Sequence, residues 1–155
     1  MSNDARFEDV VDAPIRLIAR DADDLQVISA LVQDSVLPSS EISWLPNESR
    51  FALLLNRFRW EGKTRKSERV QSVLVFDCVE TVKTDSVDPT DKDQILSVLA
   101  IELSEEEDCR ASINIVLAGD GDIRLCVECV EVILQDTTRP YDAPSGSAPT
   151  HNLDA

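Results

Sequence analysis

The stretch Arg50–Arg69 reads RFALLLNRFRWEGKTRKSER, and its two halves set up everything around it. The first half is the most apolar run in the chain. Strand alternation places Phe51, Leu53, Leu55, Arg57 and Arg59 on one face. Ala52, Leu54, Asn56, Phe58 and Trp60 take the other. A run apolar on both faces predicts a central strand. Its end keeps one apolar face and is expected to turn Arg57 and Arg59 outward. The second half is polar and basic. Seven basic residues stand against two acidic ones over residues 50–69, a local charge of +5. The whole chain carries −15, so the remainder sums to −20. A basic region on an acidic molecule is therefore expected.

Working outward, Leu45–Ser49 (LPNES) is turn chemistry, and Glu41–Leu45 before it reads as a strand. Together with Arg50–Trp60 it predicts a hairpin. Further upstream, residues 14–20 (PIRLIAR) alternate as a first strand. Asp21 is placed to cap a helix over about residues 22–35. Asp23 and Asp24 in its first turn suit the positive end of the helix dipole. Leu25, Ile28, Leu31 and Val32 recur at helical spacing, while Ser29 and Gln33 fall on the other side. Downstream, Arg69–Val82 reads as one long strand, residues 83–94 as a loop, Ile95–Leu103 as a strand and residues 104–108 as an acidic turn. Ala111–Ala118 and Ile123–Leu134 follow as strands, joined by the tight turn Gly119-Asp120-Gly121-Asp122. A change of apolar phase near Cys129–Val130 predicts a bulge or a helical turn.

The sum is a mainly β, α+β fold. It is a single antiparallel, strongly bent sheet or partly closed barrel of about seven strands, with one N-terminal amphipathic helix packed on it. Residues 1–13 read as a flexible acidic arm, 14–136 as one globular domain and 137–155, rich in Pro, Ser and Thr, as a disordered tail. A pleckstrin-homology-like barrel has a comparable pattern, but that fold places its helix last. At 155 residues, with 43% hydrophobic and 29% charged residues, the chain can bury a core unaided. No apolar run reaches the ~20 residues of a membrane span, and the acidic, polar N-terminus lacks a secretory signal. A cytosolic location is expected.

Four stretches, LIARDADDLQVISALVQDSV, SWLPNESRFALLLNRFRWE, LSVLAIEL and GDIRLCVECVEVILQD, resemble the domain-of-unknown-function 2948 family of alphaproteobacteria. The similarity covers about residues 15–136, with Leu45–Glu61 its most specific part. It implies a bacterial, cytosolic, single small domain and carries over no site residue.

Candidate chemistry is sparse. Cys126 and Cys129 form a C-x-x-C, but zinc needs two more ligands, and Cys78 and Cys109 stand apart. Residues three apart on a regular strand point to opposite faces. The four cysteines are expected to be free thiols packed as small hydrophobes. The single histidine, His151, is near the C-terminus and unsuited to be a positioned base. No cofactor, metal or catalytic residue is implied, and the chain is not expected to be an enzyme. The basic region remains. Arg57, Arg59, Lys63, Arg65 and Lys66 are the candidate binding residues. Their partner would be a protein or a small anionic ligand, because the acidic remainder disfavours nucleic acid and membranes. The expected function is a non-catalytic interaction module, monomeric or homodimeric. The alternatives are a small enzyme or ligand-binding barrel with a pocket between sheet and helix, and a homo-oligomer pairing through edge strands.

Overall fold

The computed structural model describes residues 14–58, 68–88, 90–137 and 141–142. The expected arm at 1–13 and the basic loop at 61–67 lie outside them. Among the described residues, eleven strands and one α-helix follow in the order β1 (Arg16–Ala19), α1 (Ala22–Val32), β2 (Val36–Pro38), β3 (Ile42–Leu45), β4 (Arg50–Phe58), β5 (Glu68–Phe76) and β6 (Val79–Asp85). Then come β7 (Ile95–Ser104), β8 (Ala111–Leu117), β9 (Asp122–Val127), β10 (Val132–Asp136) and β11 (Tyr141–Asp142). All pairings are antiparallel, in the spatial order β1-β10-β5-β4-β2-β7-β8-β9-β6, with β3 added to β4 and β11 to β5.

The expected antiparallel sheet and its one helix are present. The strand count is higher and the sheet is not closed. Two of the expected long strands each bend and divide. Arg69–Val82 splits at Asp77–Cys78, where Cys78 takes the left-handed conformation (φ 64°). Ile123–Leu134 splits at residues 128–131, where the change of apolar phase predicted a bulge or a helical turn. The two bends cross side by side. Asp77 N–H donates to Glu131 O at 2.9 Å, and Glu128 N–H donates to Cys78 O at 2.9 Å. Both chains thus pass together from one half of the sheet to the other. Opposite this corner, β2 joins the halves, because Val36 pairs with Asn56 on one side and Ser97 on the other. Such a three-residue strand has too short a pattern to be read from sequence. Within the stretch expected to be a tail, Tyr141 and Asp142 pair with Arg69 and Glu68, and residues 138–140 and 143–155 lie outside the described residues.

The bent sheet encloses one core. Phe51, Leu53 and Leu55 of β4 meet Leu74 and Phe76 of β5, Leu134 of β10, and Ile113, Ile115, Ile123 and Leu125 from the other half. Helix α1 adds Leu25, Ile28 and Val32 to this core. Its cap is as expected, with Asp24 N–H donating to the Asp21 carboxylate at 2.8 Å. It stops earlier than Ser35, at Val32. Asp34 adopts a left-handed φ of 65°, and its N–H donates to Val98 O on β7 at 2.7 Å. A residue in that conformation ends a helix much as glycine does. The outer strand β6 is mostly exposed and carries Glu80, Lys83 and Asp85, with a bulge after Val79. Charges and a bulge are the usual protection of an edge against adding another chain.

Replacing Ile28 (1% exposed) by alanine should cost about 2–4 kcal/mol in urea denaturation, because it leaves a cavity under the helix. Val27→Ala, next to it but 53% exposed, should change stability by less than ~0.5 kcal/mol.

Candidate functional site

The five residues singled out from sequence divide sharply. Arg59, Lys63, Arg65 and Lys66 lie outside the described residues. Arg57 is fully buried, which corrects its expected outward orientation. The parity was right: Arg57 follows Phe51, Leu53 and Leu55 on the inner face. Its polarity misled, because the countercharge comes from a strand that is distant in sequence. Asp136 ends the inner row of β10, and Ser72 stands between them on β5. Arg57 Nη2 donates to both Asp136 oxygens at 3.0 and 3.2 Å, and its Nε donates to Oδ1 at 3.2 Å and to Ser72 Oγ at 3.0 Å. Ser72 Oγ–H donates to Asp136 Oδ1 at 2.7 Å, and Ile15 N–H donates to Oδ2 at 2.9 Å. Arg57 Nη1 donates to Phe58 O at 3.1 Å. One sequence signal was available. A polar residue stands in phase with the buried row of each of three strands, near the ends of β4 and β10 and in the middle of β5.

The cysteines are arranged differently from expectation as well. Cys109 and Cys126 are joined as a disulfide. Cys78 and Cys129 are free, and Cys129 is exposed. The C-x-x-C residues therefore do not meet each other, and each faces a distant partner. Cys129 Sγ–H donates to Cys78 Sγ at 3.1 Å, across the corner where the two bends cross. Beside it opens a cleft of about 540 Å³ lined by Glu48, Ser49, Asp77, Cys78, Glu80, Glu128 and Glu131. Arg50 partly offsets this charge, with Nε donating to Asp77 at 2.8 Å and Nη1 lying 3.8 Å from Glu48. The Cys78 thiol is pushed up to about 11 by its hydrogen bond with Cys129, then by burial, then by the negative charge of Cys129, Glu131 and Asp77. The raised value corresponds to the exchanged arrangement of this sulfur pair, in which the Cys78 S–H is the donor. Among the described residues, no group of three or more His, Cys, Asp and Glu side chains is set to hold a metal ion.

The third feature lies between α1 and β7. Beyond Ser97, β7 is no longer covered by β2. There α1 takes the place of a strand, and Ile101 N–H donates to Ser29 Oγ at 2.8 Å. Ser29 was expected on the far side of the helix and instead ties it to the sheet. An open groove of about 730 Å³ follows this seam, with Gln26, Gln33 and Asp23 on the helix and Leu99, Glu102 and Leu103 on the strand.

The stretch from Leu45 to Glu61, which carried the resemblance, thus contains the end of β3, the turn, all of β4 and the buried Arg57. A family model described as a protein of unknown function (DUF2948) matches residues 15–151. The chain belongs to the DUF2948 family. No curated protein and no solved structure matches it. In this DUF2948 chain the match runs past Asp136 and takes in β11.

Removing one side of the buried pair leaves a charge without its partner in the interior. Arg57→Met should cost about 3–5 kcal/mol in urea denaturation, and adding Asp136→Leu should recover part of that loss. The thiol makes a separate prediction. Only the thiolate is alkylated, so below the pKa the rate rises about tenfold per pH unit. In the reduced chain, iodoacetamide labelling of Cys78 should therefore keep rising to about pH 11. Cys129→Ala removes the leading cause and should bring the plateau down by about one unit or more. Peptide mass mapping across the pH range checks it, and an unmoved plateau would refute the hydrogen-bond cause.

Proposed function

We propose that this DUF2948 chain is a cytosolic, non-catalytic binding module. Its contact surface is the basic connection between β4 and β5, with Arg59, Lys63, Arg65 and Lys66, and its partner is an acidic protein segment or a small anionic ligand. The observation that carries this reading is the register of the hairpin. β4 and β5 remain paired up to Phe58 and Arg69, and the Arg69 guanidinium lies 4.0 Å from the centre of the Phe58 ring. Residues 59–67 therefore connect two paired strand ends. They hold four basic residues and one acidic residue, in a chain of net charge −15. A local cation cluster on an acidic body selects anions at short range while repelling extended polyanions. Arg57 is withdrawn from that surface by Asp136. The buried apolar cluster inside the sheet supports a surface function over an internal pocket.

A second reading, a small-ligand site between sheet and helix, rests on the groove along α1 and β7. One experiment separates the two. The probes are a labelled oligo-glutamate peptide, followed by fluorescence anisotropy, and inorganic pyrophosphate, followed by calorimetry, at low and at physiological salt. The Arg59→Ser/Lys63→Ser/Arg65→Ser/Lys66→Ser variant should lose about tenfold or more in affinity, and salt should weaken the wild type. Equal binding by both proteins, or none by either, overturns the basic surface. Binding that survives in this variant but is lost on Gln26→Trp favours the groove.

A further inference from the structure

We infer that Cys78 and Cys129 form a modification site: a dithiol that a small uncharged hydroperoxide oxidises to an intramolecular disulfide across the corner of the sheet. The inference is independent of the proposed binding surface and rests on four observations.

The two sulfurs already touch, at 3.1 Å, although 51 residues separate them in the chain. The contact is held by the backbone. Glu128 N–H donates to Cys78 O, and Asp77 N–H donates to Glu131 O, each at 2.9 Å, so the bends that carry the two cysteines cannot slide apart. Cys78 occupies a left-handed conformation (φ 64°) that glycine, asparagine or aspartate fills more readily. A cysteine there aims its thiol at the second bend. Finally, Cys109 and Cys126 are already bonded to each other, which leaves Cys78 and Cys129 as the two free thiols of a chain with four cysteines.

The chemistry balances without any group beyond the oxidant. Exposed Cys129 is the sulfur that meets the peroxide. Its thiolate attacks one peroxide oxygen, the O–O bond breaks, and Cys129 becomes a sulfenic acid as hydroxide leaves and takes up the proton the thiol had lost, giving one water from hydrogen peroxide or one alcohol from an organic hydroperoxide. Cys78 then attacks the Cys129 sulfur. The S–S bond forms, the S–O bond breaks, and the leaving hydroxide takes up the Cys78 proton as a second water. Two electrons pass from the dithiol to the peroxide. The high Cys78 pKa makes this second step the slower one at neutral pH.

The surroundings choose the oxidant. Glu48, Asp77, Glu80, Glu128 and Glu131 surround the cleft, with Arg50 and Arg20 as nearby cations. An anionic oxidant such as glutathione disulfide is repelled, while neutral hydrogen peroxide is not.

The test uses the full chain, first reduced and then exposed to hydrogen peroxide or to glutathione disulfide at equal concentration. Intact mass and non-reducing peptide maps are followed over time. With peroxide, the mass should fall by about 2 Da for each disulfide formed, about 4 Da once Cys109–Cys126 has also re-formed, and the Cys78–Cys129 cross-linked peptide should appear in the map. Glutathione disulfide should act at least about tenfold more slowly. Cys129→Ser should abolish the cross-link and leave Cys78 reduced. The wild-type measurement decides the matter whether or not that variant folds. Thiols unchanged under peroxide, a sulfinic acid on Cys129 without a cross-link, or a bond from Cys129 to Cys109 or Cys126 would each overturn the site.

Discussion

A charged guanidinium at zero exposure constrains the whole of one half of this sheet. Burying an ion without its partner is far more costly than the net stability of a domain this size permits. Arg57 can be enclosed only if Asp136 is delivered to it, and Asp136 comes from β10, 79 residues further on. Satisfying that one group fixes β10 beside β5, with β4 on the other flank. It also fixes the first strand, because the second Asp136 oxygen accepts from Ile15 N–H. Four strands are thereby tied to one carboxylate. A buried ion pair of this kind is weak evidence for added stability. Its strength lies in excluding other registers, since a slip of one residue would turn Arg57 or Asp136 to the opposite face.

The opposite end of the molecule solves a different problem. A single sheet this long must bend if it is to bury both of its halves against each other. Here the bend is made twice in parallel, by Asp77–Cys78 and by residues 128–131, and the two crossings hydrogen-bond to each other. Corners of this type leave extra residues out of the ladder. Those residues are Cys78, Cys129 and the acids beside them. The free thiols and a carboxylate-rich cleft therefore sit where the sheet turns. Helix α1 closes the remaining gap by substituting for a strand along β7, and Ser29 supplies the acceptor that a strand carbonyl would otherwise provide.

Much of the fold was legible. β1, α1, β3, β4, β7 and β8 follow from periodicity and capping, and the Gly119-Asp120 turn follows from two residues that both adopt positive φ. The phase change near Cys129 pointed to a break in the last long strand. What escaped was of two kinds. Strands β2 and β11 are too short to carry a pattern, and exist because neighbouring strands offer them partners. The division at Cys78 has no local breaker, neither glycine nor proline, and is forced by the crossing with the other bend. The candidate site fared less well. Arg57 was placed on the right face of its strand and assigned to the wrong environment. The cysteines were read by their spacing along the chain, when their partners lie 17 and 51 residues away.

Local physics alone settled which segments are strand or helix, where α1 begins, and that an acidic body carries one basic stretch. Those properties depend on neighbours within a few residues: alternation, helical spacing, a capping carboxylate and the sum of formal charges. Tertiary structure alone decided that Arg57 is interior, that Cys126 and Cys129 part company, and that Cys78 and Cys129 touch. Each of those outcomes depends on which distant strand supplies the partner. Pairing between strands is decided by burial and by the satisfaction of polar groups across the whole sheet, which no local window of sequence contains.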